Sequence, residues 1–405
     1  ILNTCHIREK ATEKLFSELG RMRNYKRRAE TRGKKVILGV AGCVAQAESA
    51  VIHDRAPYVD LVFGPQTYHT LAEMVADLSG AKKNRVVNTD FPSVQKFDFL
   101  PEESTSTGPT AFLSVQEGCD KFCTFCVVPY TRGAEYSRDP QSVINEAKKL
   151  ADTGAVELTL LGQNVNAYHG GDYTLPRLME AIVTQVPQIK RLRYTTSHPR
   201  DMQQDLIDAH RDLPQLMPYI HLPVQAGSDN VLKAMNRKHG RDEYFAVIDR
   251  LRAARPDIAI SGDFIVGFPG ETDQDFEDTL DLVKRVGYSC AYSFKYSPRP
   301  GTPAAAMGKM VAEHIKEERL ARLQEALNQQ GQLYNETMVG QTLPILFERI
   351  GHKSGQMLGR TPHNLLITVD NAPQDWIGQI HDIAITRAVI ALGHGLGLTV
   401  VDCGV

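Results

Sequence analysis

No apolar run in this chain approaches the ~20 residues needed to cross a bilayer, which excludes a membrane-spanning helix. No secretory signal pattern stands at its first residues. No charge of one sign dominates: 46 Lys and Arg stand against 48 Asp and Glu, a net of -2. That balance excludes a global field that would draw in nucleic acid, so any such contact must come from local patches. A disulfide framework is missing too, because the cysteines are odd in number and lack its spacing. A reduced, cytosolic compartment is the expectation. What remains is an ordinary globular mix, 42% hydrophobic and 23% charged. At 405 residues it is long enough for two or three domains.

The densest chemistry lies in Glu117-Gly118-Cys119-Asp120-Lys121-Phe122-Cys123-Thr124-Phe125-Cys126. Its thiols are spaced C-x3-C-x2-C, close enough to wrap one face of a small inorganic core. Thiolates are the usual ligands of iron–sulfur clusters. Three cysteines on a four-iron cluster leave one iron without a protein ligand, and an open position on a metal is where a substrate or cofactor binds. The alternative is a structural zinc site or a chance grouping of buried thiols. Zinc knuckles want four ligands in two pairs, and no fourth Cys or His follows at short range.

The chain opens on Ile1-Leu2-Asn3-Thr4-Cys5, where Ile1 and Leu2 read as the end of a buried strand. Truncation at the N-terminus is therefore expected. Residues 1–90 read as an α/β domain. Apolar residues at Leu15, Phe16, Leu19 and Met22 have helical spacing over Thr12–Arg28. Between Arg8 and Lys35 basic residues outnumber acidic ones, giving either a solvated face or a phosphate-contacting surface. Val36–Val40 is an apolar run suited to a buried parallel strand and ends in Ala41-Gly42-Cys43. Cys5 and Cys43 thus follow strand ends, where α/β folds place ligands. On chemistry alone they are ligands or plain buried thiols. Residues 91–109, with Pro101-Glu102-Glu103-Ser104, have linker composition.

From 110 to 333 strands and helices alternate, which argues a parallel sheet with right-handed crossovers. The expected strands are Ala111–Gln116, Val156–Leu161, Leu192–Thr196, Tyr219–Leu222, Ile258–Val266 and Cys290–Tyr296. Amphipathic helices are expected at Val143–Leu150, Asp273–Val286 and Val311–Leu333. This falls short of a full eight-unit barrel and fits a partial (β/α)6 barrel, with its chemistry at the C-terminal strand ends. Those ends carry Gly162-Gln163-Asn164, Ser197-His198-Pro199, Pro223-Val224-Gln225-Ala226-Gly227-Ser228 and Gly267-Phe268-Pro269-Gly270-Glu271-Thr272. Each alone reads as a turn; their convergence on one sheet end points to a ligand pocket. His221 and Glu271 are candidates for acid/base work, although a strand His is more often a satisfied core residue. Arg132 and Arg138 are better suited to charge contacts. Residues 335–390 alternate short apolar runs (Leu343–Phe347, Leu365–Val369, Ile380–Thr386) with turns, as in a small antiparallel β-barrel bearing Arg349, Lys353 and Arg360. The tail 391–405 is rich in Gly and apolar residues. No role is assigned to Cys290 or Cys403.

Beyond Cys126 the chain continues as Val127-Val128-Pro129-Tyr130-Thr131-Arg132-Gly133, then Glu135 and Ser137-Arg138. With the cysteine spacing, this stretch resembles the methylthiotransferases among radical S-adenosylmethionine enzymes. It is closest to the tRNA-2-methylthio-N6-dimethylallyladenosine synthases (MiaB type), and the resemblance runs from the first residue to about 390. It implies a partial (β/α)6 radical SAM barrel with an N-terminal α/β methylthiotransferase domain and a C-terminal TRAM barrel that holds tRNA. It implies two 4Fe-4S clusters and S-adenosylmethionine. Cys119, Cys123 and Cys126 would hold the cluster that binds S-adenosylmethionine. Cys5, at the family's NTC-x-x-R position, and Cys43 would hold the second. Its remaining ligand lies in a G-C-Q-M-N segment that this sequence lacks. Gln163, Asn164, His198, Gln225, Gly267 and Gly270 would neighbour S-adenosylmethionine, and no catalytic residue is assigned.

The implied reaction places sulfur and a methyl group on C2 of N6-dimethylallyladenosine at tRNA position 37. The 5′-deoxyadenosyl radical is its agent, and a flavodoxin or ferredoxin-type reductant its electron source. The anticodon loop is the expected partner, the protein a cytoplasmic monomer without membrane contact. The Val127–Gly133 stretch, Thr196-Ser197-His198-Pro199-Arg200 and the His221–Asp229 stretch favour this branch. The same chemistry on threonylcarbamoyl-adenosine of tRNA, or on an aspartate of a ribosomal protein, is the rival. A non-catalytic RNA-binding protein with a structural metal is the rival of another class.

Overall fold

A computed structural model of the chain describes residues 1–5, 9–80, 85–92, 96–99, 105–391 and 398–403. Arg8, the 101–104 stretch read as linker and tail residues 392–397, 404 and 405 lie outside them. The chain divides into two compact units. One comprises Ile1–Glu102, Gly118–Glu135 and Ser297–Ala305; the other holds the rest.

In the first unit, short apolar strands form a four-stranded parallel sheet in the order Leu2–Thr4, Gly39–Gly42, Leu61–Phe63 and Val86–Asn88. The Gly39–Gly42 strand starts later than the Val36–Val40 run suggested. The helix expected over Thr12–Arg28 spans Glu9–Glu30. It buries Leu15 and Leu19 in a core with Val40, Ile52 and Val62. Thr4 pairs with Gly42 in register, so Cys5 and Cys43 do follow neighbouring strand ends. Gly42 is required there: its φ is +95°, and a Cβ would lie 2.2 Å from the Thr4 carbonyl oxygen. Cys43 then opens the helix Cys43–Arg55.

The second unit contains the expected parallel strands, now bounded as Thr110–Ser114, Glu157–Leu161, Arg191–Thr195, Tyr219–His221, Ala259–Val266 and Cys290–Lys295. They form two three-stranded runs joined where Leu192 bridges Leu216. Chain order is spatial order, as expected where consecutive elements pack side by side. Alternation divides each strand. Leu113, Leu158, Leu160, Leu192, Ile220, Ile260 and Phe264 are fully buried. The intervening residues Phe112, Thr159, Arg193, His221 and Tyr292 line a cavity. The helix Asp273–Val286 has the bounds its periodicity predicted. Thr272 accepts a hydrogen bond from the Asp275 N–H while the Asp275 carboxylate accepts from the Thr272 N–H, a capping box that explains its sharp start.

The C-terminal strands Thr342–Ile350, Gln356–Arg360, Leu366–Asp370 and Ile380–Ala384 pair antiparallel as expected around Ile345, Phe347, Met357 and Ile367. The sheet is not wholly antiparallel. The tail strand Leu398–Cys403 pairs parallel with Leu366–Asp370 and antiparallel with Arg387–Ala391. The tail therefore adds a strand to a sheet that periodicity had assigned no further member.

Two buried arginines weld this sheet to the parallel strands. Arg191 Nη1 and Nη2 donate to the Arg360 and Pro344 carbonyls at 2.9 and 2.6 Å. Arg193 Nη1 and Nη2 donate to the Pro362 and Thr361 carbonyls at 2.7 and 2.9 Å, and its Nε to Glu157 Oε1 at 2.9 Å. Glu157, Arg191 and Arg193 are 3%, 2% and 3% exposed. Charges so deeply buried are tolerated because nearly every polar atom has a partner. Burial nonetheless pulls Arg191 down to about 10.

Arg193→Ala would strand Glu157 and is expected to cost about 3–5 kcal/mol; a denaturant midpoint equal to wild type would refute the clamp. A second expectation concerns acid. His210 is fully buried, with Nε2 2.7 Å from the Tyr194 hydroxyl, and burial depresses it from 6.5 to about 3. The unfolded chain binds a proton near pH 6.5 that the folded chain refuses. Stability is therefore complete above that pH and falls as pH drops from 6.5 toward 3, by ~2 kcal/mol at pH 5. Urea unfolding at pH 7 and 5 measures this, and an imidazole that titrates near 6.5 by NMR would contradict it.

Candidate active site

The cysteine loop is shaped by its glycines and turns. Gly118 has φ +77°, and a Cβ there would stand 1.9 Å from the Ala134 carbonyl oxygen. The Cys119 N–H donates to the Gly133 carbonyl at 3.2 Å, and the Cys126 N–H to the Cys123 carbonyl at 2.9 Å. Between them Phe122 takes a left-handed φ of +48°, a conformation uncommon in a bulky residue. Asp120 and Glu135 exchange backbone-to-carboxylate hydrogen bonds at 3.3 and 3.2 Å, closing the loop's base. The short helix Val128–Arg132 follows; its Arg132 carbonyl accepts from Gln66 Nε2 at 2.7 Å. This helix packs on Cys43–Arg55, so one compact unit contains both cysteine sets.

Cys123 is buried, and Cys119 and Cys126 are half-buried. Burial pushes the Cys119 thiol up to about 12, and the Glu135, Cys126 and Cys123 charges add to the rise. The thiols therefore lie within electrostatic reach of one another. Three soft donors on one tight loop suit an iron–sulfur cluster with one iron left open. Cys5 is exposed and Cys43 buried; at neighbouring strand ends they supply two donors of the same kind. Among the described residues, no three His, Cys, Asp or Glu side chains converge as the ligands of a single ion would.

The polar turns gather at the C-terminal ends of the parallel strands in the second unit. Gln116 Oε1 accepts from the Gln163 and Asn164 N–H groups at 2.9 and 3.2 Å. Asn164 is buried, with Nδ2 donating to Asp201 at 2.8 Å. His198 caps the next turn, Nδ1 accepting from the Arg200 N–H at 3.2 Å. Gln225 is held at φ +82°, bonded through its backbone to Asp263 and Ile265. Gly267 has φ +72°, and a Cβ there would stand 2.2 Å from Lys316 Cγ. Gly270, φ +84°, donates to the Lys309 carbonyl at 2.9 Å.

Sequence reasoning missed Arg237 and His239. Buried Arg237 donates to the Pro223 carbonyl, between Asn236 and Lys238 at φ +60° and +59°. Such conformations persist where surroundings over-determine them, often at ligand sites. His239 sets its ring edge-on to His198, centroids 5.7 Å apart. Burial first, then the Arg237 charge, brings it down to about 4. The signal available was a basic Arg237-Lys238-His239 run after a strand-end motif, which charge alone assigns to solvent.

Other candidates prove structural. Glu271 accepts from the Gly267 N–H and pairs with Arg319 at 2.8 and 2.7 Å. His221 Nδ1 bonds Ser261 Oγ at 2.9 Å, with Nε2 3.5 Å from Asp263. Arg138 is buried on Glu146 and the Ser114 carbonyl at 2.7 and 2.6 Å. Arg360, one of the basic residues noted on the C-terminal barrel, pairs with Glu348 at 2.7 Å. Arg349 and Lys353 are exposed.

Residues 113–283 match the model of the Radical SAM superfamily. Residues 1–64 match the Uncharacterized protein family UPF0004, and 336–389 the TRAM domain. Among solved structures, the chain is similar to a radical S-adenosylmethionine methyltransferase, TsrM, from Kitasatospora setae with cobalamin and a 4Fe-4S cluster bound. TM-score is 0.55 at 15% identity, covering 75% of this chain and 64% of that one. It is also similar to the cobalamin-dependent S-adenosylmethionine radical enzyme OxsB, with TM-score 0.54 at 11% identity, covering 81% of this chain and 47% of that one. At such identities the likeness is one of fold.

Gly118→Ala forces a left-handed alanine against a backbone oxygen that cannot move away. We expect a loss of at least about 2 kcal/mol, read from the denaturant midpoint. A midpoint equal to wild type would show that the loop tolerates a side chain at this position.

Proposed function

We propose that this chain, with a radical SAM domain between a UPF0004 and a TRAM domain, is a tRNA methylthiotransferase acting on C2 of N6-dimethylallyladenosine at position 37. The observation that carries this reading is the order of those domains around the Cys119-x3-Cys123-x2-Cys126 loop. A reduced four-iron cluster, when bound, supplies the electron that cleaves the sulfonium carbon–sulfur bond of S-adenosylmethionine.

The chain's own residues then have these roles. Cys119, Cys123 and Cys126 would hold the cluster. Gln163, Asn164, His198, Gln225 and the Gly267–Gly270 turn border the S-adenosylmethionine pocket. Glycine at 267 and 270 lets backbone come close to a ligand. Cys5 and Cys43 are two ligands of a second cluster on the sulfur-supplying side. The C-terminal barrel grips RNA, with exposed Arg349 and Lys353 set for phosphates. A loop base suits such an enzyme because single-stranded bases can be splayed out and stacked. The expected setting is the cytoplasm, with a flavodoxin or ferredoxin-type reductant.

Anaerobically purified wild type is expected to carry iron and sulfide and to release 5′-deoxyadenosine with reductant, whereas Cys123→Ala loses both. Zinc without sulfide would sink the enzyme reading. Mass spectrometry of tRNA nucleosides from a deletion strain tests the substrate. Loss of 2-methylthio-dimethylallyladenosine is expected, and its persistence would assign the chemistry elsewhere.

A further inference from the structure

The parallel strands enclose a cavity of about 310 Å³ distinct from the strand-end turns. Its wall holds Phe112, Thr159 and Tyr292, and its floor comes from the C-terminal barrel, where Glu348 and Arg360 reach in. Phe112 is 72% exposed although it sits on a strand whose next residue, Leu113, is fully buried. A large aromatic face turned to water inside a cavity has an unmet partner. Glu157 provides a second, separate observation. It is 3% exposed and lines the same cavity. Its Oε1 is held by Arg193, yet among the described residues no hydrogen-bond donor reaches its Oε2. The nearest charged group, Arg191 Nη1, stands 3.8 Å away. A buried carboxylate oxygen without a donor is costly unless a ligand supplies one.

The geometry points to a binding site for one flat ring that carries an N–H donor, of purine size. The ring stacks on Phe112 and donates a hydrogen bond from its N–H to Glu157 Oε2. The volume is at the small end for ligand pockets, enough for one ring system with a short substituent. Arg360 and Glu348, paired with each other, set how deep that substituent reaches. The C-terminal barrel thereby forms part of a base-binding site in addition to gripping RNA. This inference rests on the RNA-modifying function proposed above and names the residues that receive a purine base of the bound RNA.

The test uses the full-length chain, purified anaerobically, and two RNA stem-loops read by fluorescence anisotropy. One carries N6-dimethylallyladenosine in its loop, the other uridine at that position. Wild type is expected to favour the adenosine stem-loop. Phe112→Ala removes an exposed side chain and should melt as wild type does, while losing about tenfold in affinity for the adenosine stem-loop only. Phe112→Trp retains a stacking face and should restore the preference. If wild type discriminates and Phe112→Ala discriminates equally, the ring site is wrong and the RNA function stands. If wild type binds neither stem-loop, the RNA function itself falls, and this site with it.

Discussion

Burial of Glu157 with Arg191 and Arg193 is the constraint from which the larger unit's organisation follows. Three charges that share so little contact with water must spend their hydrogen-bonding capacity inside the protein. The two guanidinium forks do so on carbonyls of the C-terminal sheet, at Arg360, Pro344, Thr361 and Pro362. Planar, multi-donor arginine suits this task where lysine would not. The consequence is mechanical. A small barrel that would otherwise hang from the helix Glu313–Glu336 becomes part of the parallel strands' own wall.

That wall separates two kinds of chemistry. At the C-terminal strand ends, Gln163, His198, Gln225 and Gly267 offer amides, an imidazole and close backbone. At the opposite ends the charges are already committed, and Glu157 retains one oxygen without a donor. Similar economy explains why several attractive residues do no chemistry. Arg138 holds Glu146, and Arg319 holds Glu271, each deep enough that releasing the partner would leave a buried charge. The cysteine loop depends instead on backbone: positive φ at Gly118 and Phe122, and carbonyls that close on N–H groups.

Much of this was legible in the residues. The bounds of Asp273–Val286 were predictable because a capping box begins the helix and Gly287, at φ +63°, ends it. The parallel strands were predictable because apolar alternation and strand-end turns agree with each other. The neighbouring placement of Cys5 and Cys43 followed from two strand ends in one parallel sheet. Other features were beyond one-dimensional reading. Arg360, one of the basic residues of the C-terminal barrel, ends the strand Gln356–Arg360, and only its distance to Glu348 reveals that its charge is spent. Arg237 and His239 are buried by the fold, which a short basic run does not announce. The tail strand Leu398–Cys403 gained its role from a parallel partner far back in the chain.

The sequence by itself determined which elements form and which donors lie near one another along the chain. Periodicity, caps, turn residues and C-x3-C-x2-C spacing act over a few residues, where backbone geometry leaves few choices. Tertiary structure decided which charges are available and which are locked, what floors the cavity, and where Phe112 is left facing water. Those outcomes depend on burial and on partners dozens to hundreds of residues apart, and the cost of an unpaired group is set only once the surrounding protein has removed its water.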